Sequence, residues 1–295
     1  MHRKALFALI FLAITLAITA TAHAREFSGA RALEFTRHAT SFGPRPPDSP
    51  AIHKLQAYIL GQLRLSGCEI TEDRFTAQAP QGKVPMKNLL CRFPGKSGRA
   101  IVYSGHYDTK TVPQFVGAND GGSSTGFLLE MAGALAGAPR KDDVYLVFFD
   151  GEEAYGEWSD TNSLYGSRHL AEKWAADGTL AKIKALVNVD MIGDKDLSLV
   201  YNSGSAASLQ RTVWDVAQRL GFNQYFSTGG GVTGDDHVPF IQRGVKALDL
   251  IDFDYGPNNQ YWHTPADTVD KLGANSFQVV GTVLQKLLPE LEAQP

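Results

Sequence analysis

Two six-residue runs, Ala100 to Gly105 and Val144 to Phe149, carry almost no polar side chain, and each ends in a polar stretch. Short unbroken apolar runs of this length predict strands covered on both faces. Ala185 to Val189 and Ala247 to Ile251 are read the same way. Elsewhere the period changes: Ala51 to Leu65 sets Ile52, Leu55, Ile59 and Leu63 at helical spacing and stops before Gly67. Helices are also predicted over 123–135, 167–176, 206–220 and 276–288, and two further strand-like segments over 68–75 and 88–93. A proline-stiffened stretch, Ser41 to Pro47, leads into the first helix. This alternation predicts an α/β fold of three layers, αβα, with a twisted, mostly parallel central sheet. No internal repeat or low-complexity linker interrupts residues 25–295, which are expected to form a single domain.

The first 24 residues follow a different pattern. His2, Arg3 and Lys4 precede an apolar stretch from Ala5 to Ala20, broken by Thr15 and Thr19, and Ala22-His23-Ala24 supplies small-x-small spacing. The stretch is short for a membrane span and ends in a cleavage-type sequence, so residues 1–24 are read as an export signal removed after Ala24. An uncleaved anchor is the alternative. The expected location of the mature chain is periplasmic or secreted, without stable membrane association. Removing Arg3 and Lys4 leaves 26 basic against 31 acidic residues. That mild acidity, with no cationic run, argues against nucleic-acid binding and for small or peptide substrates. Export also bears on Cys68 and Cys91: they could pair if their strands are neighbours, or remain as two buried thiols.

Polar clusters gather where the predicted strands end. Strand 100–105 runs into His106-Tyr107-Asp108, and the following loop carries Asn119-Asp120 into a helix. Strand 144–149 ends at Asp150-Gly151-Glu152-Glu153, strand 185–189 at Asp190, and the last strand leads to Tyr261-Trp262-His263. Open α/β sheets bind ligands beyond the carboxyl ends of their strands. Singly, each residue has an ordinary structural role: Asp120 as a helix cap, Glu152-Glu153 as a solvated helix start, the histidines as hydrogen-bonded side chains, the tryptophans as core. Together, carboxylates and imidazoles from four strand ends form a ligand set suited to Zn²⁺ with a position left for substrate. Adjacent glutamates allow one to hold the metal while the other moves protons.

The succession Ser104-Gly105-His106-Tyr107-Asp108, Gly117-Ala118-Asn119-Asp120, Phe148 to Glu153, Asn188 to Gly193 and Trp262-His263-Thr264 resembles the M28 zinc peptidase family, over nearly the whole mature chain. Within it, the resemblance is greatest to the glutaminyl cyclases, through Glu153 to Ser159, Ser163 to Leu170, Asp235-Asp236-His237-Val238-Pro239-Phe240, and Trp262-His263. That resemblance implies a zinc-exopeptidase-like fold and a glutaminyl-peptide cyclotransferase. Such an enzyme is an acyltransferase that converts the N-terminal glutamine of peptides or proteins to pyroglutamate and releases ammonia. It implies one zinc on Asp120, Glu153 and His263, Glu152 as proton shuttle, and Asp190 and Asp235 as its hydrogen-bonded acidic partners. Trp158 and Trp262 would wall the glutamine pocket, to which His237 would also belong. A shuttle of this kind calls for a Glu152 pKa raised toward neutrality by apolar neighbours. The alternative is an M28 aminopeptidase with two zincs, where His106 and Asp190 complete the second metal and Glu152 is general base for a water. Animal cyclases resemble this chain but carry a cysteine just before the His106 position, where Gly105 stands here. A non-catalytic binding protein on the same scaffold would be expected to lack a ligand or the shuttle, and every position is filled.

Overall fold

A computed structural model describes residues 25–159, 161–231 and 233–295; the expected export signal lies outside them. In chain order the main elements are α1 (Gly29–Thr40), α2 (Pro50–Ser66), β1 (Glu69–Ala79), β2 (Gly82–Phe93), β3 (Ala100–His106), α3 (Gly122–Leu135), β4 (Asp143–Phe149), α4 (Tyr165–Ala176), β5 (Ile183–Asp190), β6 (Leu199–Asn202), α5 (Ala207–Arg219), β7 (Phe226–Gly231), α6 (Val238–Ile241), β8 (Ala247–Ile251) and α7 (Ala274–Ala293). Six strands form one sheet in the order β1-β2-β4-β3-β5-β8. β4, β3, β5 and β8 are mutually parallel, and β1 and β2 join as an antiparallel edge. The carboxyl ends of four strands therefore share one edge of the sheet.

Alternate residues of the central strands enter different cores, as a two-residue side-chain period demands. Ile101, Tyr103, Leu146, Phe148 and Val187 join the helices α1, α2, α3, α5 and α7 in the larger core. Val102, Val147, Phe149 and Leu186 face the other way, toward α4 and α6. These are the three expected layers.

Three features differ from the sequence reading. The segments at 68–75 and 88–93 are parts of one long hairpin, β1 and β2, paired from Glu69 with Arg92 to Ala79 with Gly82. Helix α1 was not predicted, because it packs through small side chains rather than an apolar stripe: its buried positions are Gly29, Ala32, Thr36, Ala39 and Thr40. A Cβ on Gly126 of α3 would come within 2.1 Å of Thr36 Oγ1, so the two helices touch at backbone distance. In the small sheet of β6 and β7, β6 is only four residues long and β7 is glycine-rich, so neither gives a strand period. Cys68 and Cys91 form a disulfide, with Cα atoms 5.5 Å apart.

Candidate active site

The chain reverses direction sharply at each strand end, and these turns bring the polar clusters together. Gly121 precedes α3 with φ +77°, and a Cβ there would lie 2.4 Å from the Asp108 carbonyl oxygen and 3.0 Å from the His106 ring. Only glycine lets the Asp120 loop settle on the end of β3. His263 itself adopts φ +53° in the loop after β8.

Among the described residues, two sets of side chains could hold a metal ion: Asp120, Glu153 and His263, and His106, Asp120 and Asp190. In the first, His263 Nε2 lies 3.2 Å from Asp120 Oδ2 and 3.3 Å from Glu153 Oε2. Asp120 Oδ2 is buried and accepts no well-directed hydrogen bond. A buried carboxylate oxygen without a proton aimed at it, facing a second carboxylate and an imidazole nitrogen, suits a cation. Glu153 is steadied from behind, its Oε1 accepting the Lys110 amide at 3.0 Å while Lys110 Nζ stands 3.7 Å from Oε2. In the second set, His106 Nε2 is 3.2 Å from both Asp120 Oδ1 and Asp190 Oδ1.

The first set opens into a cavity of about 260 Å³; the cavity is lined by Asp120, Glu153 and His263 but not by His106, which is fully buried beneath it. Glu152, Asp190 and Asp235 also face the cavity, and its walls are Trp158, Trp262 and Phe253. Trp158 and Phe253 are 45% and 40% exposed, so the mouth is apolar and open to solvent. Trp262 stacks on His263 with ring centroids 4.0 Å apart, and Phe253 meets Trp262 edge-on at 4.9 Å. The aromatic walls thus lead outward directly from a candidate metal ligand.

Electrostatics within the site follow from burying many acids around few cations. Burial pushes the Glu152 carboxyl well above the usual carboxylate range; His106 opposes this, while Asp235, Glu153 and Asp236 add to it. Neighbouring carboxylates join burial in raising it, so the source is wider than the apolar neighbours expected from sequence. Burial also raises Glu153, Asp190 and Asp235. Asp120 goes the other way: burial would raise it, but the facing imidazoles of His106 and His263 hold it far below its ordinary value.

The sequence-based assignments fall into place unevenly. Asp120, Glu152, Glu153, Trp158, Asp190, Asp235, Trp262 and His263 all line the one cavity. His237 does not. It precedes the short helix α6 with its ring fully buried, Nε2 pointing toward Gly204, and burial lowers its pKa to about 4. Its position two residues beyond Asp235 carries it to the start of α6, and it is not among the residues that line the cavity. Glu152, Asp190 and Asp235 stand as neighbours around the cavity. Asp190 Oδ1 meets His106, and Asp235 Oδ1 accepts Asn188 Nδ2 at 3.0 Å.

Residues 88–288 match the family described as Peptidase family M28. The chain belongs to peptidase family M28. A glutaminyl-peptide cyclotransferase of Drosophila melanogaster is 32% identical over 241 residues, which cover 72% of this chain and 67% of the relative. The crystal structure of an Acidobacteriales bacterium glutaminyl cyclase is 39% identical, with a TM-score of 0.87 over 97% of this chain and 99% of that one. A Zn-dependent exopeptidase of Parabacteroides distasonis, 22% identical, shares the fold with a TM-score of 0.81 over 92% of this chain and 100% of that one.

Within this M28 site, four buried residues carry roles that the sequence reading does not assign. Asp108 accepts the amides of Glu152 at 3.1 Å and Glu153 at 3.4 Å, fixing both glutamates through their backbone. Asp249 on β8 shares the Asn188 amide with Asp235 and also accepts Asn202 Nδ2 at 3.2 Å. Asp267 accepts the amides of Asn119 and Asp120. Arg45 is fully buried and donates to the carbonyls of Val116 and Gly117, at 2.6 and 3.0 Å. Asp249 left a trace in the sequence as the single charge inside Ala-Leu-Asp-Leu-Ile. Arg45 and Asp267, in loops, left none.

Proposed function

We propose that this protein is a zinc-dependent glutaminyl-peptide cyclotransferase, which converts the N-terminal glutamine of peptides or proteins to pyroglutamate and releases ammonia. The observation that carries the reading is a raised carboxyl, Glu152, beside the Asp120–Glu153–His263 set in a cavity walled by Trp158, Trp262 and Phe253. The cyclotransferases and cyclases among its relatives support the same reaction. Asp120, Glu153 and His263 would hold a zinc ion, which when bound would supply Lewis-acid polarisation of the side-chain carbonyl. The tryptophans fold the glutamine side chain back over its own α-amine, and this proximity replaces an encounter between separate molecules. The amine nitrogen then bonds to the side-chain carbonyl carbon, Cδ, as the bond from that carbon to the side-chain nitrogen breaks. Glu152 takes the proton that the amine gives up and returns it to the departing nitrogen, which leaves as ammonia. A carboxyl with its pKa pushed toward neutrality is suited to both transfers. Burial together with the neighbouring Asp235, Glu153 and Asp236 keeps the Glu152 proton from being lost too readily, and Asp190 lines the same cavity beside it.

One zinc is the expected content, because the first ligand set faces the cavity and His106 of the second does not. In the mature chain, freed of residues 1–24 and exported, the disulfide would be stable. Alternatively, the His106–Asp120–Asp190 set favours a two-zinc aminopeptidase. Metal analysis of purified variants tests the reading. Wild type and Glu152→Gln should each carry one zinc, Glu152→Gln should lose turnover, and His263→Ala should lose the metal. Two zincs per active chain would support the aminopeptidase.

A further inference from the structure

We propose that Asp267 is a positioning residue for the metal: its single carboxylate ties the loop bearing Asp120 to the turn bearing His263, and so sets the spacing of two ligands. The inference rests on the metal reading above. Asp267 is fully buried. Its Oδ1 accepts the Asn119 amide at 2.8 Å across 148 positions of chain and the Tyr255 hydroxyl at 2.7 Å, while Oδ2 accepts the Asp120 amide at 3.2 Å. Both oxygens are therefore spent on fixing one end of the Asp120 peptide.

The other end of the link is equally short. The Asp267 amide donates to the Thr264 carbonyl at 3.1 Å, and the Thr264 amide to Tyr261 at 3.3 Å, so His263 and Asp267 sit in one succession of tight turns. A displacement of Asp267 moves the backbone of His263 with it. Arg45 completes the clamp from the opposite side, holding the Val116 and Gly117 carbonyls of the loop whose amides Asp267 holds. Asp108 does the corresponding work for Glu152 and Glu153, accepting both of their amides. All three ligands of the cavity-facing set are thus fixed through buried carboxylates that are not themselves ligands: Glu153 by Asp108, Asp120 by Asp267, and His263 by sharing a turn with Asp267.

The chemistry requires two acceptor oxygens. An amide in place of the carboxylate offers one oxygen, and its NH₂ would face a backbone N–H or the Tyr255 hydroxyl. Loss of support behind metal ligands commonly weakens metal affinity on the order of tenfold to a hundredfold.

Competition between the zinc-loaded protein and a chromophoric chelator at fixed temperature measures this directly. Asp267→Asn should raise the zinc dissociation constant at least tenfold. Tyr255→Phe, which removes one of the three donors and leaves the carboxylate, should raise it about threefold and decides the matter if Asp267→Asn does not fold. A general loss of stability is separated by Leu287→Ala, a fully buried position in α7. That variant should lower the unfolding midpoint while leaving the zinc dissociation constant within about twofold. Wild-type zinc affinity in the Asp267 and Tyr255 variants, or equal weakening in Leu287→Ala, would overturn the proposal and leave the metal reading standing. Absence of tight zinc binding by the wild type would remove both.

Discussion

Trp262 lies against His263 with their ring planes only 23° apart, so one aromatic face backs a candidate metal ligand while the residue's edge meets Phe253. The same side chain therefore orients the imidazole and walls the cavity. Replacing it removes an aromatic contact of about 0.5–1.5 kcal/mol together with buried area against the substrate. Trp262→Leu should lower kcat/KM for a glutaminyl dipeptide about tenfold, chiefly through KM, with zinc content retained. An unchanged KM would show that the indole only packs.

Glu152 faces the cavity beside Asp190 and Asp235, and burial raises its pKa. A group that both takes and returns one proton in the reaction typically contributes on the order of 10²–10⁴ in rate. Glu152→Gln keeps the shape and removes that capacity. Its kcat should fall within that range while its affinity for a competitive inhibitor changes by less than about threefold. Turnover close to wild type would exclude Glu152 as the shuttle.

Asp249 is pushed up to about 8, first by burial and then by Asp190. An aspartate in the unfolded chain ionises near pH 4. Between about pH 4 and 8 the unfolded chain gives up a proton that the folded chain keeps. The stabilisation linked to this group is therefore complete below pH 4 and is lost as pH rises toward 8. The thermal midpoint should decline from pH 5 to 8 more steeply in wild type than in Asp249→Asn. Parallel slopes would mean that Asp249 titrates like an exposed aspartate.

The disulfide between Cys68 and Cys91 closes a loop of 23 residues across the start of the β1–β2 hairpin. Crosslinks of this span typically contribute about 2–4 kcal/mol. The double variant Cys68→Ala/Cys91→Ala should unfold at a midpoint about 5–10 °C lower. A midpoint unaffected by the double substitution or by reduction would place the bond outside the stabilising framework.

Much of this architecture is legible along the chain because the central strands announce themselves. Ala100 to Gly105 and Val144 to Phe149 are apolar on both faces, and strands of that kind belong in the middle of a layered sheet whose carboxyl ends gather ligands. Asp120 and His263 lie farther along the loops that leave β3 and β8, but Glu152, Glu153 and Asp190 follow directly from this placement, since they stand at or just beyond the ends of β4 and β5. The supporting set does not. Asp267 and Arg45 act on backbone amides and carbonyls brought close only by folding, and neither spacing nor residue type marks a loop residue for that task. Helix α1 is hidden for a related reason: Ala32, Thr36 and Ala39 pack by being small, which leaves no apolar period to read. His237, which the cyclase resemblance implies for the pocket, stands at the start of α6 with its ring buried, and the cavity lining includes Asp235 but not this imidazole.

The most direct test of the cyclotransferase reading is to incubate the purified zinc-loaded protein with Gln-Ala amide and follow ammonia together with the products. Release of one ammonia per pyroglutamyl peptide formed, with no free glutamine, is the predicted result. Free N-terminal glutamine, or cleavage of an aminoacyl nitroanilide at a comparable rate, would contradict it and identify a hydrolase.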